Sequence, residues 1–197
     1  KSYTDFIKLS LLHKIFLLML IIIFVYLVNK KTFFYEYYED MTSGKRFESK
    51  FDDAIYDAFY SKYYDAIYFN KERDIEQLKI IISYAKNKKF VKFLDIGCNT
   101  GFIVHMLNKM KYDVVGIDKS KHLIEKSKNN YPNCEYFAAD ILKNNLFDYN
   151  SFTHLLCLNK QIYYIKNKTE FFENCSLLLS QDGHLILHLL DRDKFKP

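Results

Sequence analysis

Three carboxylates and two glycines, Asp95, Gly97, Gly101, Asp118 and Asp140, stand at the ends of short apolar runs in a chain of 197 residues that has only five glycines. In "KFLDIGCNTGFIVHML", residues 92–107, Asp95, Gly97, Asn99 and Gly101 sit between a strand-like run and a helix-like run. Glycine turns the chain through positive φ and removes the Cβ that would hold a ligand away, while the helix that follows exposes unpaired N–H groups. Asn99, in the middle of the turn, is the side chain that best tolerates the left-handed region after glycine. Such a turn lets a ligand lie against bare main chain. Asp118 follows 23 positions after Asp95, a spacing that suits an acceptor for two ribose hydroxyls. The chemistry indicated is the binding of a nucleoside-containing molecule.

These residues need a scaffold, and the hydrophobic pattern supplies one. "KFVKFLDI", "YDVVGID", "CEYFAAD", "FTHLLCLN" and "HLILHLL" read as five strands. Between them "GFIVHMLNKM" reads as a helix with Ile103, Met106, Leu107 and Met110 on one side, and "SKHLIEKSKNN" and "TEFFENCSLLL" as two more, with "SQDG" as a turn. Short apolar runs alternating with helical patterns indicate an α/β fold with a doubly wound, mostly parallel sheet. In such a sheet ligands sit at the carboxyl ends of the strands, where Gly97 and Gly101 fall. Two helices precede the sheet. In "FDDAIYDAFYSKYYDAIYF" the residues Ile55, Phe59, Tyr63 and Ile67 recur every fourth position beside a stripe of Tyr56, Tyr60 and Tyr64, which either packs or walls a ligand pocket. Residues 71–86 carry Ile75, Leu78, Ile81 and Ile82 on an inner face.

The dinucleotide fingerprint GxGxxG asks for glycine at positions 97, 99 and 102, where the chain has Gly97, Asn99 and Phe102, which speaks against NAD. The pattern acid-x-Gly-x-Gly-x-Gly finds Asp95, Gly97, Asn99 and Gly101, and here the chain resembles the class I, Rossmann-like methyltransferases that use S-adenosyl-L-methionine. "LDIGCNTG", "VVGIDKS", "YFAAD" and the stretch from "FTHLLCLNKQIYYI" to "LLLSQDGHLIL" match that family in order and spacing. "DRDKF" and "CLNKQIYYIKNK" resemble methyltransferase-like reading frames of large DNA viruses. The resemblance implies a Rossmann-like methyltransferase fold and a cofactor site made of Tyr64, Asp95, Gly97, Cys98, Asn99, Gly101, Asp118, Lys119, Asp140, Ile141, Leu158 and Asn159. It implies that Asp95 and Gly97 meet the methionine end, Tyr64 its carboxylate, and Asp140 the adenine amino group with Ile141 beside the ring. Asn159, Tyr163 and Tyr164, in the loop after the fourth strand, are the candidates for acting on the methyl acceptor, by positioning rather than as a base. Family members continue past strand five to a helix and hairpin. This sequence ends at "DRDKFKP", so the C-terminal strands are expected to be missing: either the chain is a fragment or strand five is left as an edge for a partner to cover.

Composition narrows the partners. Of the net charge of +5, residues 1–50 carry +3 and residues 51–197 only +2. The main domain lacks the basic stripe that a phosphate backbone requires, so nucleic acid is not expected. Cys98, Cys134, Cys157 and Cys175 are widely spaced, without a CxxC pair, and indicate buried thiols rather than disulfides or a metal site. His184 and His188 alternate with leucines on the last strand and are expected to partner neighbouring polar groups.

Residues 15–28 are apolar without a break, and counting back to Leu11 gives 18 residues, about 27 Å of helix against a hydrocarbon core of about 30 Å. The reading is a membrane anchor over residues 1–30, a linker over 31–50 and the methyltransferase domain over 51–197. No small-residue cleavage site follows in "VNKKTFFYEYYED", which disfavours a cleaved signal. The larger number of lysines and arginines after the apolar segment places the domain in the cytoplasm. The function expected is methyl transfer from S-adenosyl-L-methionine to a small-molecule, lipid or protein acceptor at a membrane. The alternative is a catalytically degenerate methyltransferase-like module that binds or interacts there.

Overall fold

The computed structural model describes residues 10–42, 49–85, 90–143 and 146–194. The chain divides into two units, residues 1–49 and 50–197. The first contains helix α1 (Leu11–Thr42). Its segment Leu11–Val28 has mean hydropathy 2.7 and is not buried, the one helix among the described residues long and apolar enough to cross a membrane by length and composition. Helical backbone continues to Thr42, so residues 31–42 of the expected linker are helical, and residues 43–48 lie outside the described residues.

The second unit begins with a 3-10 turn (Asp52–Ile55), helix α2 (Ala58–Tyr68) and helix α3 (Lys71–Ala85). The single helix read over residues 51–69 is thus broken: Asp57 adopts extended backbone, and its side chain accepts from the Tyr60 N–H, starting α2 afresh. Then come β1 (Lys92–Ile96), α4 (Phe102–Lys109), β2 (Asp113–Asp118), α5 (Lys121–Asn130), β3 (Glu135–Ala138), β4 (Phe152–Cys157), α6 (Lys168–Leu178) and β5 (Leu179–Leu187). The five strands pair in parallel in the order β3-β2-β1-β4-β5. Alternate residues feed two cores: Phe93 and Val114 pack with Leu78, Ile81 and Leu107 on one face, and Leu94 and Val115 with Phe152, Phe171 and Leu178 on the other. That double cover explains why the strands read as continuous apolar runs.

Two local expectations shift, and a third, left open between two readings, is decided. "SQDG" is not a free turn but a bulge inside β5. Phe152 pairs with Leu179 and His154 with His184, so five steps on β5 oppose two on β4, and Asp182 takes φ +57°. The buried face of α4 is Ile103, Val104 and Leu107, while Met110 lies past the helix end and is exposed. On α2 the tyrosine stripe turns inward and the stripe of Phe59, Tyr63 and Ile67 turns out.

Gly101 shows what the first turn demands. It starts α4 at φ +86°, and a Cβ there would stand 2.5 Å from the Tyr136 hydroxyl and 2.9 Å from Ser127 Cβ. Tyr136 is buried and donates to the Gly101 carbonyl at 3.0 Å, so it cannot withdraw without losing that bond. Gly101→Ala is expected to destabilise the domain by about 2 kcal/mol, from the left-handed backbone plus overpacking. Chemical denaturation checks this, and an unchanged midpoint contradicts it.

Candidate active site

The strand order reverses between β1 and β4, which opens a crevice at the carboxyl ends of the sheet. The turn after β1 lies there and is held tightly. The Gly97 and Cys98 N–H groups both donate to the Ile117 carbonyl (2.8 and 3.0 Å), and the Gly101 N–H to the Cys98 carbonyl (2.9 Å). Gly97 has φ +73° and Asn99 φ +52°. Asn99 therefore adopts the left-handed conformation that a glycine would supply, and its Nδ2 donates back to the Gly97 carbonyl at 2.7 Å.

Asp118, at the tip of β2, ties this turn to the next. One oxygen accepts from the Asn99 N–H (3.1 Å) and the other from the Ser120 N–H (2.9 Å). Ser120 caps α5 and donates from its hydroxyl to the Tyr56 carbonyl. At the tip of β3, Asp140 pairs with Lys119 at 3.3 Å, and Lys119 also reaches Asp53 at 3.8 Å.

Two cavities meet at Gly97 and Asn99. One is lined by Gly97, Asn99, Asp118, Lys119, Asp140, Ile141 and Tyr164, together with Tyr56, Gln161 and Ile165. The other is lined by Tyr64, Asp95, Gly97, Cys98, Asn99, Leu158 and Asn159, together with Arg73, Asp74 and Thr100. The sequence-predicted residues are thus gathered into one bipartite cleft, with two exceptions. Gly101 lies outside both cavities, and its missing side chain makes room for Tyr136. Tyr163 also lies outside, and its hydroxyl accepts from the Leu190 N–H at 3.0 Å.

Helix α2 forms the wall over the turn. Asp65 accepts from the Thr100 hydroxyl (2.7 Å) and pairs with Lys126 of α5 (2.8 Å), and Ser61 donates to the His122 carbonyl. The wall is aromatic: Tyr60, Tyr64 and Tyr68 stand with ring centroids 5.4–6.0 Å apart.

The electrostatics of the cleft favour a cationic ligand rich in donors. Asp95, Asp118 and Asp74 are all buried. Desolvation, with the Asp118 and Asp74 charges behind it, pushes Asp95 up to about 7. Desolvation pushes Asp118 up to about 6 against the opposing pull of its two N–H donors and Lys119. Arg73 Nε pairs with Asp74 at 2.9 Å, yet burial still raises Asp74. The loop after β4 adds an acceptor. Asn159 and Lys160 take φ +50° and +64° in succession, and the buried Asn159 Oδ1 has no donor within hydrogen-bond distance. Two left-handed residues in a row are a local strain of the kind that collects at functional sites.

Sequence reasoning missed Gln161, whose side chain lies over Gly97, where an added Cβ would stand 2.8 Å from its Cγ. Its Nε2 donates to Asn99 Oδ1 at 3.4 Å. The only pointer was its place two residues after Asn159. Arg73 and Asp74, another omission, look in sequence like the solvated start of a helix.

Known proteins match this arrangement. The methyltransferase domain family matches residues 93–183. A protein of Invertebrate iridescent virus 6 named as a methyltransferase is 29% identical over 142 residues, covering 66% of this chain and 51% of its own length. The ubiquinone biosynthesis O-methyltransferase of Pelagibacter ubique is 33% identical over 134 residues, covering 64% of this chain and 52% of its own length. The chain therefore spans about half the length of these relatives. The crystal structure of a TehB-like SAM-dependent methyltransferase from Corynebacterium glutamicum superposes with TM-score 0.54 at 19% identity, covering 66% of this chain and 73% of that one. With the strand order, the first-turn glycine and the acids at the strand tips, these matches give residues 50–197 a Rossmann-like methyltransferase fold, in which residues 93–183 match the methyltransferase domain family.

Proposed function

We propose that the domain binds S-adenosyl-L-methionine in the bipartite cleft and directs its methyl group to an acceptor, with Leu11–Val28 holding the chain at a membrane and the domain on its cytoplasmic side. The observation that carries this reading is the convergence of buried Asp95 and Asp118, the Gly97 turn and the unpartnered Asn159 Oδ1 on one crevice. When bound, the cofactor supplies an electrophilic methyl on a sulfonium, so the protein has only to align the acceptor and exclude water.

The residues fit that task. Asp118 accepts from the ribose hydroxyls. Asp140 accepts from the adenine amino group, Ile141 packs on the ring, and Lys119 holds the Asp140 carboxylate in place. Asp95 and Asn159 Oδ1 accept from the ammonium of the methionine end, where Gly97 lets it pass close to the main chain. Tyr64 takes the carboxylate of that end; burial raises its pKa, so it remains a neutral donor. Cys98 and Leu158 line the same end, and burial keeps the Cys98 thiol protonated. Tyr164 closes the adenosine side, and Gln161 moves off Gly97 to admit the ligand. The Pelagibacter relative is an O-methyltransferase of ubiquinone biosynthesis, which supports an oxygen nucleophile on a membrane-partitioning acceptor.

Calorimetric titration of the full chain in detergent micelles with S-adenosylhomocysteine tests the reading. Saturable one-to-one binding is the expected result. A folded chain that takes up none removes the proposal.

A further inference from the structure

The outward face of α2 is out of character for a water-facing helix. On α2 Phe59, Tyr63 and Ile67, spaced every fourth residue, are 72%, 39% and 68% exposed, and Phe51 and Ile55, on the separate 3-10 segment before it, are 76% and 41% exposed. The inward face of the same segment carries the tyrosines and Ser61, and it meets α5 through the Ser61 hydroxyl and the Tyr56 carbonyl. The usual order for a surface helix is thus inverted, with the aliphatic and phenyl side chains in the solvent.

The charges around the stripe are arranged for a low-dielectric neighbour. Each acid of this segment has a cationic partner: Asp52 with Lys166 (2.7 Å), Asp53 with Lys119 (3.8 Å), Asp57 with Lys50 (2.6 Å) and Asp65 with Lys126 (2.8 Å). Lys62 projects from the middle of the stripe with its ammonium 5.1 Å over the Tyr63 ring. A lysine beside a tyrosine, each with an apolar body and a polar tip, suits the headgroup level of a bilayer. Neutralised acids and a protruding cation also lower the cost of approaching an anionic lipid surface. The same chain carries Leu11–Val28, 23 positions upstream of Phe51, so a bilayer entered by that segment is held close to the domain at high effective concentration.

We infer that Phe51, Ile55, Phe59, Tyr63 and Ile67 form a membrane-docking face that beds α2 at the lipid headgroup–acyl boundary. This rests on the reading of Leu11–Val28 as an anchor. It adds that the domain itself lies on the bilayer instead of hanging clear of it, which brings the tyrosine-walled side of the cleft to the lipid surface.

The chain has no tryptophan, so Phe59→Trp installs a single fluorophore on the stripe without disturbing the core. The full chain is reconstituted into phosphatidylcholine–phosphatidylglycerol vesicles whose acyl chains are brominated near the headgroup in one set and at the chain ends in another, the second set reading the anchor. Phe59→Trp is expected to shift to the blue and to lose about half or more of its emission, as a side chain seated 5–10 Å into the boundary would. Phe172→Trp, exposed on α6, should keep its emission. Leu18→Trp reports on the anchor separately. Quenching at Leu18→Trp with none at Phe59→Trp overturns the docking face and leaves the anchor intact, and a Phe59→Trp shielded from aqueous iodide yet unquenched by lipid assigns the stripe to a protein partner or a second copy, which also overturns it. No quenching at either position removes the anchor and the docking face together.

Discussion

Replacing Asp118 with alanine is expected to weaken S-adenosylmethionine binding about 100-fold while leaving the domain folded, because two charge-assisted hydrogen bonds at 1.5–3 kcal/mol each are lost to a ligand that must still be desolvated. In the proposed site the carboxylate has a double duty. It orders the turn by accepting from Asn99 and Ser120, and it presents its outer lone pairs to the cavity shared by Gly97, Asp140 and Ile141. Losing the first duty costs stability. Removing a buried negative charge that also raises Asp95 gives some of that stability back, so the melting temperature should move by only a few degrees. Asp118→Asn keeps one oxygen acceptor and forfeits the charge, and is expected to fall between the two, about tenfold weaker than the native chain. Calorimetry with S-adenosylhomocysteine on both variants reads the effect, and an unchanged Kd in a folded Asp118→Ala chain overturns the role given to this residue.

Asn99 bears on whether the site is intact. In the acid-x-Gly-x-Gly-x-Gly pattern it replaces the middle glycine, the departure that left open a degenerate, merely interacting module. Its backbone at φ +52° takes the conformation the pattern needs, and its side chain, at the junction of the two cavities, donates back to the Gly97 carbonyl and accepts from Gln161. The substitution therefore preserves the backbone path that the glycine pattern provides.

The sheet was legible in sequence because a parallel strand covered on both faces reads as an unbroken apolar run, as in "VVGI" and "LLCL", and because the spacing of Asp95, Asp118 and Asp140 follows the strand tips. The Ser120 cap and the Gly101 turn follow from side-chain chemistry at a fixed place. What was not legible depends on tertiary partners. On α2 the two stripes have the same period, and hydrophobicity alone favours burying the aliphatic one. The tyrosines win the inner face because the cleft below holds Asp118 and a polar turn that phenolic groups tolerate and isoleucine does not. The Asp74–Arg73 pair has the local look of a solvated helix start, and only the fold of α3 against the first turn buries the acid. The bulge at Asp182 was hidden because β5 resumes pairing only at His184, after a segment in which Ser180, Asp182 and Gly183 are turn formers.

Cofactor affinity is expected to rise about 100-fold between pH 5.5 and pH 8, with a chain in which Asp95 is replaced by asparagine retaining only about fivefold of that rise. In the ligand-free protein Asp95 titrates at about 7 and Asp118 at about 6, both raised chiefly by burial. Below those values the two acids are protonated, and a cation-bearing, donor-rich ligand must expel their protons before it binds. Affinity therefore climbs as pH rises, by up to tenfold per unit for each group still protonated, and levels off above pH 8. Stability moves the other way. Folded values raised above the unfolded 3.8 mean that the stabilisation these acids contribute is complete below about pH 4 and lost as pH passes through 6 to 7. The free domain should thus lose stability across the range in which the ligand gains affinity, so the thermal shift on adding S-adenosylhomocysteine must grow with pH while the ligand-free melting temperature falls. Titrations in two buffers of different ionisation enthalpy count the protons released directly, near one at pH 6.5 for the native chain and less for Asp95→Asn. A flat pH profile with no proton release places both carboxylates away from the bound ligand.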